Sequence, residues 1–144
     1  MSVAPVQPTP FIPIQTLEPV VQSLYDRIGG MVTIRRVVDD LCFRAMDDVG
    51  LRTWVRQTST DPAKLGAYKR MFTEFLAGLA GGPTCYSGED LATAHKGLGI
   101  SAQDFDRFFV YFIQSMYETE MPQKARSELL AVFAMTKEEV VERW

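Results

Sequence analysis

The sequence predicts an all-α fold on three observations. Apolar residues recur at helical spacing from Leu17 onward, no segment alternates with the period of two that marks a strand, and helix-capping pairs open several of the periodic stretches. A chain of 144 residues, 47% hydrophobic and 23% charged, fits one ordinary globular domain with a real core. Residues 1–20 stand apart. They hold five of the eight prolines, which deny helix and ladder hydrogen bonds, so an extended or disordered lead-in is expected there and the domain over 21–144. Phe11 and Ile14 are the side chains through which the lead-in would lie across the domain.

The first helix is expected over 18–28, stopped by Gly29-Gly30. Ile34, Val37, Val38, Leu41, Cys42, Ala45 and Met46 then fall at i, i+3, i+4, i+7 and i+8, one face of a second helix. A brief helical turn is expected over 51–55, before Thr58-Ser59-Thr60. Asp61 is placed to cap a helix with Pro62 at its first position. Its inward stripe is Leu65, Tyr68, Phe72, Phe75, Leu76 and Leu79, and it ends at Gly81-Gly82-Pro83. A short helix over 90–96 is cut off by Gly97 and Gly99. Ser101 with Asp104 reads as a capping box opening a helix that buries Phe105, Phe108, Phe109, Phe112, Ile113 and Met116. Pro122 starts the last long helix, with Ala125, Leu129, Val132 and Phe133 facing in. A second box, Thr136 with Glu139, predicts a break and restart near its end.

Composition excludes several classes of function. A net charge of -3 gives no reason to expect nucleic acid or an anionic membrane as partner. No apolar run approaches the ~20 residues that cross a bilayer. The first basic residue is Arg27, so neither a charged signal-peptide start nor an Arg-rich transit peptide is expected. Cys42 and Cys85 match no zinc or haem-attachment spacing and read as free thiols, which points to a reducing cytoplasm.

The chain has one histidine, His95. Taken alone, an imidazole on a minor helix is more often packed or half-exposed than a ligand. A Cys–His nucleophile would need Cys42 or Cys85 to meet it, but Cys42 sits in an apolar stripe and Cys85 has no cationic neighbour. Zinc held by several His or Cys ligands is excluded by count. The glycine pairs fit no phosphate loop. The phenylalanines from Phe105 to Phe112 suit either a bulky core or the wall of a pocket for a flat apolar ligand, and periodicity does not choose between them. One biological ligand fits a lone histidine in an aromatic helical pocket. Haem iron needs a single proximal imidazole, while the porphyrin gains most of its binding from buried apolar surface.

Short motifs, each weak alone, then occur in order over residues 23–133. They are Leu24-Tyr25-Asp26-Arg27-Ile28-Gly29-Gly30, Phe75-Leu76 leading to Gly81-Gly82-Pro83, Tyr86-Ser87-Gly88, Ala94-His95-Lys96-Gly97-Leu98-Gly99-Ile100, and Asp104-Phe105. Together and at this spacing the sequence resembles the truncated haemoglobins, most closely group I. The resemblance implies a truncated globin fold, a two-over-two helical sandwich with a short proximal helix, and haem b held non-covalently with His95 as the iron ligand. With one histidine, neither a bis-histidine site nor a histidine–vinyl link can form.

The distal side departs from the family pattern. Members often carry a tyrosine on the second helix that hydrogen-bonds oxygen. Aligned from Gly29-Gly30, that position is Cys42, and a thiol is a weak donor. Aligned back from Gly81-Gly82-Pro83, the positions facing iron are Tyr68 and Phe72, so Tyr68 is the candidate donor, with a core aromatic as the alternative. Trp54, or Val55 one residue on, stands where relatives prop the haem with phenylalanine, and Leu76 stands where some gate a gas tunnel. Tyr86, Leu91, Ile100 and Phe105 are assigned to the haem pocket, and Lys69, Arg70 and Lys96 are candidate propionate partners. The implied function is binding of oxygen, nitric oxide or carbon monoxide, supporting detoxification of nitric oxide or reactive species. Dioxygenase-type turnover would need an electron-donating reductase. The alternative is a sensor or redox protein whose resting iron takes Tyr68, Lys69, Met71 or Cys42 as sixth ligand. A globin-shaped interaction module without haem is a third reading, against which the retained His95 argues.

Overall fold

The computed structural model describes residues 22–51, 61–83, 86 and 88–144. The lead-in, Trp54, Val55, Cys85 and Ser87 lie outside the described residues. Helix α1 spans Leu24–Ile28, α2 Gly30–Asp47, α3 Pro62–Leu79, α4 Leu91–His95, α5 Ala102–Tyr117, α6 Gln123–Ala134 and α7 Lys137–Val140. Among the described residues there is no strand, only one isolated parallel bridge between Ser101 and Arg143.

Four of the helices, α1, α3, α4 and α5, start where a side chain caps them. Ser23 takes an extended backbone and its hydroxyl accepts the Asp26 N–H, so α1 begins at Leu24 and not at 18 as expected. Asp61 caps α3 through the Ala63 N–H, with Pro62 at the first position. Ser101 and Asp104 form the expected reciprocal box at α5. Such caps contribute about 1 kcal/mol each. The second box does not form. The Thr136 hydroxyl donates instead to the Phe133 carbonyl at 2.7 Å, because Thr136 keeps a helical backbone and its side chain folds back over the preceding turn. The helix is nonetheless broken at Met135-Thr136, as expected.

Two layers pack face to face. Helices α2 and α3 form one, α5 and α6 the other; α2 also meets α5, and α3 meets α6. The α2 stripe is buried as its spacing requires: Ile34, Val37, Val38, Leu41, Cys42 and Ala45 are inside. Phe112, Met116 and Leu129 answer it from the other layer. Each fully buried aliphatic or aromatic side chain contributes roughly 1.5–3 kcal/mol, so these stripes outweigh the caps. The chain crosses itself closely after α3. Tyr25 N–H donates to the Ala80 carbonyl at 2.8 Å, and a Cβ on Gly82 would stand 2.3 Å from the Tyr25 ring. Only glycine allows that approach.

Candidate functional site

Between the layers lies a cavity of about 310 Å³, a volume suited to a small-molecule ligand. Helix α3 supplies Tyr68, Met71, Phe72 and Phe75. Helix α4 and its following loop supply Leu91, Ala94, His95, Leu98 and Ile100. Phe105 and Phe108 of α5, Phe133 of α6, and Leu51, Tyr86, Asp104, Thr136 and Val140 complete the lining. The phenylalanines form one cluster: Phe133 stacks on Phe105, Phe108 and Phe109, meets Phe72 edge-on and Phe112 at a tilt, with ring centroids 4.4–6.3 Å apart.

The few polar groups on this wall divide sharply. Asp104 is committed to its cap, accepting the Ser101 N–H at 3.0 Å, with Arg107 and Arg143 beside it. The Tyr86 hydroxyl donates to the Glu89 carbonyl at 2.6 Å, and Thr136 donates to Phe133. The His95 Nδ1 lies 2.8 Å from the Leu91 carbonyl oxygen. A carbonyl only accepts, so Nδ1 carries the proton and Nε2 keeps its lone pair for the cavity. The Tyr68 hydroxyl makes no hydrogen bond with any described residue. Burial pushes its phenol above the ordinary tyrosine range, and neighbouring Cys42 adds to the shift. It therefore stays protonated and is a donor at physiological pH. Among the described lining residues, one nitrogen acceptor and one O–H donor are thus left to a ligand.

Of the residues assigned from sequence, Tyr68, Phe72, Tyr86, Leu91, His95, Ile100 and Phe105 line the cavity. Cys42 and Leu76 do not; both are core residues, 4% and 1% exposed. Burial raises the Cys42 thiol to about 11. Lys69 does not line the cavity either, and its ammonium pairs with Asp39 on α2 at 3.2 Å. Arg70 and Lys96 are exposed and outside the lining. The helical stripes mark Phe75 and Phe133 as inward and leave Phe108 between core and pocket wall, and they do not mark Leu51, Ala94, Leu98 or Val140 as wall residues. Their only signal was proximity in sequence to residues already assigned, or membership of an apolar stripe.

The family model for bacterial-like globins matches residues 23–142. The chain belongs to the bacterial-like globins. This globin is 28% identical over 118 residues to the group 1 truncated hemoglobin GlbN of Mycolicibacterium paratuberculosis, covering 82% of the chain and 83% of that protein. It is 32% identical over 94 residues to GlbN of a Nostoc species, covering 65% of the chain and 75% of that protein. The hemoglobin of Chloroflexus aurantiacus superposes with a TM-score of 0.73 at 27% identity, over 85% of the chain and 99% of that structure. The truncated hemoglobin of Tetrahymena pyriformis superposes at 0.75 and 22% identity, over 85% and 100%; at that identity the likeness concerns the fold alone. The globin family implies a haem cofactor and diatomic gas ligands. No helix of the described residues is long and apolar enough to cross a membrane.

Proposed function

We propose that this globin holds haem b non-covalently in the α3–α4–α5 cavity, with His95 Nε2 as the proximal iron ligand, and binds oxygen or nitric oxide beside Tyr68. The observation that carries the reading is the Leu91–His95 hydrogen bond. It fixes the tautomer and orients the ring, the support that metal-bound imidazoles take from a carbonyl acceptor. The donor set fits haem and no protein-only metal site. Among the described residues no group of three or more His, Cys, Asp or Glu could hold a metal ion, so an iron held by His95 would need its remaining ligands from a group such as a porphyrin. The stacked phenylalanines offer the apolar surface that a porphyrin buries.

Haem supplies, when bound, an open coordination position for a diatomic ligand. What the chain adds is Tyr68, a neutral O–H donor with no partner among the described residues, which favours ligands that gain negative charge. Lys69, Arg70 and Lys96 lie outside the described lining. Nitric oxide detoxification with a separate reductase, in the cytoplasm, is the role that oxygen retention by Tyr68 would serve.

The test is spectroscopic. Wild-type protein reconstituted with haem is expected to give a Soret band and, when ferrous, an iron–imidazole stretching line. His95→Ala should lose the line and most of the haem. A His95→Ala protein retaining both would remove His95 from the iron.

A further inference from the structure

The C-terminal segment reaches back to the loop that follows α4. The N–H groups of Glu142 and Arg143 both donate to the Ile100 carbonyl, at 2.8 and 3.2 Å, and Ala102 N–H donates to the Arg143 carbonyl at 2.9 Å. The Glu142 carboxylate then accepts the Gly97 N–H on Oε2 at 2.9 Å and the Gly99 N–H on Oε1 at 2.8 Å. Arg143 Nε donates to the Gly99 carbonyl at 2.7 Å. Inside the loop, Leu98 N–H donates back to the carbonyl of His95 at 3.2 Å.

The glycines make this grip possible. Gly97 and Gly99 sit at φ 84° and 67°, a left-handed conformation that side chains disfavour and that turns nearby N–H groups toward one concavity. An anion belongs in such a concavity, and Glu142 provides it from across the chain. Those two N–H donors, Gly97 first, also hold its carboxyl below the ordinary glutamate range. The element being gripped has little else to hold it. Helix α4 has five residues, none of them buried, and so short a helix has no stability of its own. Its packing partner is α7, the helix that carries the C-terminal segment.

We infer that Glu142 is a positioning residue for His95: its carboxylate fixes the 96–100 loop, and through the loop the setting of α4 and of the imidazole. The inference rests on the reading of His95 as the iron ligand.

Full-length haem-loaded protein tests it, with Glu142→Gln keeping one carbonyl acceptor and Glu142→Ala keeping none. Three quantities are read: the ferrous iron–histidine stretching line, the rate of haem loss to an excess of acceptor, and amide exchange at Gly97 and Gly99. Glu142→Ala is expected to shift or broaden the line, to speed haem loss by roughly three- to thirtyfold, and to speed exchange at both glycines, with Glu142→Gln between it and wild type. The melting temperature should stay near wild type in Glu142→Gln, which separates positioning from global stability. Faster exchange with an unmoved line and unchanged haem loss would overturn the inference and leave Glu142 a C-terminal fastener. Unchanged exchange would overturn it too. Wild-type protein that takes up no haem would bring down the reading of the cavity and this inference with it. Wild type that takes up haem, with variants that match it, brings down this inference alone.

Discussion

Tyr68 stands one helical turn before Phe72 on α3, and the two rings stack with centroids 6.1 Å apart. That stack holds the phenol on the wall while leaving its hydroxyl without a partner among the described residues. A net hydrogen bond to a partly charged acceptor is worth ~1.5–3 kcal/mol, or roughly ten- to a hundredfold in affinity. Tyr68→Phe should therefore speed oxygen release by about that factor and leave carbon monoxide release nearly unchanged, since carbon monoxide is far less polar. Cys42→Ser should do less, because Cys42 lies in the core cluster against which Tyr68 packs and not on the wall. Stopped-flow dissociation rates decide it; unchanged oxygen release in Tyr68→Phe would make Tyr68 a packing aromatic only.

A single carboxylate fixes the end of α2 and the chain beyond it. Asp48 accepts the Gly50 and Leu51 N–H groups at 2.8 and 3.1 Å, the Tyr111 hydroxyl at 2.6 Å and Arg107 Nη2 at 3.0 Å. It thus starts the next helical turn, which brings Leu51 to the cavity, and ties that turn to α5. The Tyr111 donor above all, then Arg107, hold its carboxyl far below the usual carboxylate range. Charge-assisted bonds of this kind are worth about 1.5–3 kcal/mol, so Asp48→Asn should lower stability at neutral pH by about that amount. The pH dependence has a definite sign. A depressed folded-state pKa gives stability that is complete above the unfolded value near ~3.9 and is lost as pH falls toward the folded value. The gap between wild type and Asp48→Asn in urea midpoint should hold from pH 7 to 5 and narrow below about pH 4. A gap independent of pH down to 2 would show that the charge contributes nothing.

At the scale of the whole molecule the aromatic cluster does two jobs. Phe133 is 4% exposed, joins α6 to α3 and α5 through five ring contacts, and also lines the cavity. Core and ligand wall are here one surface. Phe133→Ala should cost about 3–5 kcal/mol, the range for a buried phenylalanine truncated in a packed core, measured by denaturant unfolding of the haem-free protein. In the haem-loaded protein the same variant should also accelerate haem loss, because the enlarged cavity loses contact with the ring face. A loss under 1 kcal/mol would mean that the surrounding rings collapse into the space.

The sequence by itself determined the described helices, most of their starts, the break at Met135-Thr136, and the single histidine on α4. Those features are local: a cap, a glycine, a 3.6-residue period, or a count of one histidine. The tertiary structure decided which face each side chain serves. Helix α3 has two inward faces, Thr73, Leu76 and Ala77 toward the core and Tyr68, Met71, Phe72 and Phe75 toward the cavity. A hydrophobic stripe reports that a face is covered, not whether protein or ligand covers it, so Leu76 and Phe75 were indistinguishable until packed. The same limit hid Lys69, whose charge says nothing about its partner until Asp39 is set beside it. It hid Glu142 most completely, because 45 residues of sequence separate its carboxylate from the Gly97 amide that it holds, and only closure of the α4–α7 contact brings the two together.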